Sequence, residues 1–343
     1  MKTASTTKHY VEALGRWVHF AHRDTMRLRH THPKASFAAA EAGAPSVPVT
    51  TLPVDCTGGA TVSAPMDGND TLGDCMEAMA CHVDGFWTYG RGQAGWTQSS
   101  FALPALENQY EAASGGDNGL DEPTLLTQCW KPGLAGQAAA TYDDSLDVDV
   151  TNVPLARYCI DWFFHINMMW SVPDDFLQNF QPGGTWQNPD TPDPAKGHGT
   201  PLTDIDPSGL YRLFTWGSWV WVSPAFVASV DPACFVVFSR RQFNQQGYDA
   251  HGRHVSAVAA AWVAIGGDGA KAAAVVAMFP PVGPSPAPPS PTPTPSPTPA
   301  APTLEGAQAA VTAALEVESI WDQAQAIAAA NAGLAAYWPS PGS

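Results

Sequence analysis

Basic residues are scarce beyond the first few dozen positions. Residues 1–36 carry 7 Lys and Arg against 2 Asp and Glu, leaving 9 against 30 in the rest of a 343-residue chain with formal net charge −16. So acidic a body repels phosphate backbones, which argues against nucleic acid as the main partner. Apolar runs long enough to cross a bilayer are also missing, so no membrane span is expected. The N-terminus has charges where a signal peptide needs its apolar stretch, so no signal peptide is recognisable and a cytoplasmic location is expected. The six cysteines (Cys56, Cys75, Cys81, Cys129, Cys159 and Cys234) lack the close pairs of a zinc module and are too few for a disulfide scaffold. They read as reduced, buried thiols, one of them a candidate for chemistry. No repeat of 20 to 50 residues is visible, which disfavours a solenoid or propeller.

What is present is apolar bulk. Hydrophobic residues make up 45% of the chain and 13 are Trp, enough for one sizeable core with attached segments. Tyr10, Leu14, Trp17, Val18, Phe20 and Ala21 recur at roughly helical spacing, which predicts a basic N-terminal helical arm over 1–35. An α+β core is expected over 36–279, approached by an extended Ala/Pro/Thr/Gly stretch to about residue 66. Cys75 to Tyr89 reads as a helix with Met76, Met79, Ala80, Val83, Phe86 and Trp87 on one face, after a turn at Gly73-Asp74. Residues 121–132 suggest a short helix, and 151–171 a helix followed by a strand. From Gly197 the pattern is strand, turn at Asp206-Pro207-Ser208-Gly209, strand, then β-rich sequence through Trp221 and Cys234 to Phe238, so the C-terminal half of the core is expected to be mostly β. Residues 280–302 hold 12 of the 32 prolines and form an expected polyproline II linker. Beyond it, 303–343 reads as an Ala-rich helix capped by Thr303; so short a helix needs a partner, and it offers a docking element for a protein.

Chemistry is best placed at Cys75. A thiol at a helix N-terminus feels backbone amides and the positive end of the helix dipole, and both favour thiolate. His19, His22, His30 and His32 share the N-terminal arm, but no third ligand accompanies them, so neither a metal nor a cofactor is expected. Cys81 reads as structural.

The segment Gly68-Asn69-Asp70-Thr71-Leu72-Gly73-Asp74-Cys75, the later Lys196-Gly197-His198-Gly199 and Phe214-Thr215-Trp216-Gly217 together resemble the papain-like cysteine peptidases. The likeness is to shortened versions in uncharacterised phage and bacterial proteins with a GND-x-x-GDC motif, over about residues 60–240. The resemblance implies a Cys-bearing helix packed on an antiparallel sheet, with Cys75 as nucleophile and His198 as base. It also implies Asn69 as oxyanion donor in place of the more familiar Gln, and Thr215 where the family places Asn. A threonine hydroxyl can accept the imidazole N–H, although it is shorter than an amide. Asp204 and Asp206 are weaker candidates for orienting the histidine. The implied function is cysteine hydrolysis, as a peptidase acting on a peptide or protein. The alternative is an inactive papain-like scaffold or interaction protein, phage-related and virion-associated, attached through the linker and terminal helix.

Overall fold

The structure, a computed structural model, describes residues 7–21, 66–89 and 101–281, all within the unit Met1–Val282. The fold is α+β. A seven-stranded sheet has the spatial order β3-β9-β4-β6-β7-β8-β5. Its strands are β3 (Asp144–Val148), β4 (Ile166–Ser171), β5 (Thr185–Trp186), β6 (Gly197–Ile205), β7 (Tyr211–Thr215), β8 (Ser218–Val222) and β9 (Ala233–Phe238). Neighbours are antiparallel except β5 and β8. The central strands β4 and β6 are buried along their whole length, so the sheet is covered on both faces there.

Helix α1 (Cys75–Tyr89) packs against β6. Every residue from Cys75 to Thr88 is buried, so the helix is enclosed all round rather than along one apolar stripe. Its polar side chains therefore need partners: His82 bonds Asp67 at 3.2 Å, Asp84 takes Arg241 at 2.8 Å, and the Thr88 hydroxyl returns to the Asp84 carbonyl. Further on, the predicted helix near 121–132 is a single turn, Glu122–Thr124, continued by a π-helical segment Leu125–Trp130. The segment 151–171 divides into helix Val153–Phe163 and strand β4. Asp206 closes the turn to β7, its carboxylate accepting from the amides of Ser208 and Leu210, both at 2.9 Å.

Two expectations need correction. Over its described part the N-terminal arm is a β-hairpin, not a helix: β1 (Thr7–Val11) pairs antiparallel with β2 (Arg16–Phe20). Gly15 turns the chain in the left-handed region (φ 62°), and β-branched and aromatic residues on either side suit a pleated ribbon. Tyr10 and Trp17 face each other across it at 5.5 Å and stay exposed, whereas a docking helix would have buried them. The second correction is at the end of the core, which is not mostly β: helices Val255–Ala264 and Gly269–Val276 close it. Residues 22–35 of the arm, the extended approach to 65, the linker from 282 onward and the 303–343 helix lie outside the described residues.

Candidate active site

Cys75 is the first residue of α1, and the loop before it is tightly wound. The amides of Thr71 and Leu72 both return to the Gly68 carbonyl, at 2.8 and 2.9 Å. Gly68 has φ +100°, and a Cβ there would lie 2.3 Å from the Asp74 carboxylate, so only glycine fits. Gly73 donates its amide to Asp117 at 2.7 Å, and the same carboxylate oxygen accepts from the Tyr110 hydroxyl at 2.8 Å. The Asn69 amide donates to the Leu72 carbonyl across a long 3.4 Å. Desolvation first, then the charges of Glu77 and Asp67, hold Asp74 well above the usual carboxylate range.

His198 lies on β6 with its ring fixed on several sides. Its Nε2 is 2.8 Å from Thr215 Oγ1, while Nδ1 has no hydrogen-bond partner. The ring stacks on Trp216 at 5.0 Å and 23°, with Phe20 edge-on at 5.8 Å and Trp170 at 6.2 Å. Trp216 occupies the left-handed region (φ 49°) in the turn between β7 and β8. A non-glycine residue there costs roughly 1–2 kcal/mol, offset here by packing on His198, Phe20 and Phe180.

Cys75, Asn69, His198 and Thr215 line one small pocket together with Met79, His82, Gly199, Phe214 and Trp216. The sequence candidates for nucleophile, oxyanion donor, base and orienting group are thus brought to one place. The pocket has barely the room of one water molecule. His82 was not foreseen there, although its offset of seven from Cys75, two helical turns, is the signal that would have found it. Asp204 pairs with Arg212 at 3.3 Å and Asp206 serves its turn; neither lines the pocket. Cys81 is buried outside it. His19 sits on a strand rather than on the helix expected there, and no group of three ligating side chains occurs among the described residues.

Electrostatically the site is at rest. Burial pushes the Cys75 thiol up to about 12; amides of Gly199 and Met76 favour thiolate, and the charges of Asp74 and Asp117 oppose it. The helix-terminus effect expected for Cys75 is therefore present but outweighed by desolvation. Burial, then the charge of His82, pushes His198 down to about 3. At neutral pH both groups are uncharged in this conformation. What closes the site is the N-terminal hairpin: the Gly197 amide donates to the Ala21 carbonyl at 2.8 Å, and Phe20 is fully buried against His198 and Trp216. Cys75 is left 1% exposed and His198 2%.

No protein-family profile matches the chain, and no curated protein does. Among solved structures it is similar to xylellain, a cysteine protease from Xylella fastidiosa, at 11% identity and a TM-score of 0.44, over 62% of this chain and 93% of that one. So loose a likeness carries no function across. No helix among the described residues is long and apolar enough to cross a membrane.

Proposed function

We propose that the chain is a papain-like cysteine hydrolase, acting as a peptidase on an amide bond of a peptide or protein, and that the conformation described is its closed state. The observation that carries this reading is the state of the His198 ring. Thr215 engages Nε2 and leaves Nδ1 unpartnered in the pocket that Cys75 lines. A base that must take a thiol proton needs one nitrogen held and the other free.

In the open state His198 Nδ1 takes the Cys75 proton, and the thiolate attacks the carbonyl carbon. The oxyanion is received by the Cys75 amide and by the Asn69 side chain, whose 3.4 Å bond to Leu72 is weak enough to exchange. His198 then passes its proton to the leaving nitrogen as the C–N bond breaks, leaving a thioester on Cys75. Water, deprotonated by His198, attacks that thioester, and the sulfur departs with the proton. Thr215 accepts the Nε2–H throughout and keeps the ring in register.

The inactive-scaffold reading is favoured by closure and by the uncharged Cys–His pair. Phe20→Asp separates the two, since a carboxylate cannot remain unpaired in that slot and drives the hairpin off. With an iodoacetamide probe near neutral pH, read site by site by mass spectrometry, Cys75 of this variant should label faster than every other cysteine. Adding His198→Ala should abolish that advantage. A Cys75 that labels no faster than its neighbours in a folded Phe20→Asp protein makes the chain a scaffold.

A further inference from the structure

We propose that Phe20 and Ala21 occupy the site as a substrate does. A peptide would then enter extended along the edge of β6 and place an aromatic side chain, on the leaving-group side of the cleaved bond, in the slot that Phe20 now fills. This rests on the hydrolase reading above.

Three observations carry it. The first is the strand edge. β6 is paired with β4 along one side from Gly197, while its ladder with β7 covers Leu202–Ile205. Ala21 takes the β7 side of Gly197 through an isolated antiparallel bridge. Amides of residues i and i+2 point to the same edge of a strand. The Gly197 amide meets the Ala21 carbonyl, and Gly199, two residues on, packs on Cys75, where a Cβ on it would lie 3.3 Å from the Cys75 carbonyl. A backbone lying where Ala21 lies is therefore registered about 7 Å along the strand from the nucleophile.

The second is the position of the slot. Phe20 touches His198 and Trp216 at 5.8 and 5.9 Å. His198 is the group that protonates the departing amine, so a side chain packed on its face belongs to the leaving-group half of the substrate. The third is how the hairpin is held. It forms its own two-stranded sheet, with Tyr10 and Trp17 exposed on one face and Val11, Val18 and Phe20 buried against the core on the other. It is thus attached as a bound peptide is, by seated side chains and a backbone bridge, not as a strand of the main sheet.

The test uses the intact Phe20→Asp protein, with Phe20→Ser as a second opened variant should the first lose cooperative melting. The probe is the acetylated peptide Arg-Trp-Val-His-Phe-Ala, which copies residues 16–21, compared with the same peptide carrying Ala in place of Phe. The Phe peptide should bind at least tenfold tighter by calorimetry and slow Cys75 alkylation correspondingly, because burying one aromatic ring supports that ratio. A mixed peptide library digested by the same variant should yield fragments that begin at or next to an aromatic residue. Equal binding of the two peptides, or cleavage indifferent to aromatics after the bond, overturns the inference even if Cys75 labels selectively. Tight, Phe-dependent binding without selective labelling instead retains the slot and overturns the hydrolase reading.

Discussion

Glu77 stands two residues after Cys75 on the same buried helix, and neither of its carboxylate oxygens has a hydrogen-bond partner. Desolvation pushes it up to about 8 from an ordinary 4.5. The folded chain thus holds a proton that the unfolded chain releases above pH 4.5, and stability falls as pH rises from 4.5 to 8. At about 1.36 kcal/mol per pH unit, the cost is under 1 kcal/mol at pH 5 and about 4 kcal/mol at pH 8. Glu77→Met replaces the carboxyl with an apolar side chain of similar volume and removes that term. Urea unfolding of both proteins at pH 5 and pH 8 should show the variant gaining roughly 3–4 kcal/mol more at pH 8 than at pH 5. Buried groups that Glu77 does not influence cancel in the difference, and Asp74, which the Glu77 charge pushes up, changes it in the same direction. A gain that is the same at both pH values within about 1 kcal/mol would refute the reasoning, because it would mean the carboxylate is solvated or paired.

Two further outcomes follow from the histidines. Thr215→Val leaves His198 Nε2 without its partner, so in the opened protein Cys75 labelling and any peptide cleavage should fall at least tenfold, with kcat affected more than KM. Thr215→Asn should restore them, and a silent Thr215→Val would remove the hydroxyl from the mechanism. His165 and His198 are both pushed down to about 3 by burial, which disfavours the charged form. Their contribution is complete above pH 6.5 and is lost as pH falls toward 3, opposite in sign to that of Glu77. Their ring resonances should keep neutral-imidazole shifts down to pH 5; a titration centred near 6.5 would show them wet.

The parts of this fold legible in the sequence were those written locally. Gly68 and the Asp-Pro-Ser-Gly turn mark chain reversals whose geometry depends on neighbours a few residues away. The resemblance carried by the segment from Asn69 to Cys75 and by the later His198 and Thr215 singled out four side chains that line one pocket. The hairpin was misread because its apolar positions suit a helical period as well as a ribbon. Gly15 was the local clue, while the bridge from Ala21 to Gly197 spans 176 positions and leaves no local trace. The helices at the end of the core are apolar nearly all round, so Val255–Ala264 shows no stripe to count. The rest state of Cys75 was invisible for another reason: the sequence displays the helix terminus but not the depth of burial that outweighs it.

On the hydrolase reading, a hairpin held by the bridge at Gly197 and by buried Val11, Val18 and Phe20 makes catalytic output a matter of populations. If only molecules with the hairpin released can react, apparent activity scales with the open fraction, and each 1.4 kcal/mol added to the hairpin's hold lowers it tenfold. Substitutions on β1, remote from Cys75 and neutral to its chemistry, would then set turnover as strongly as changes in the pocket. Selection could adjust the latency of such a chain without touching a reacting atom.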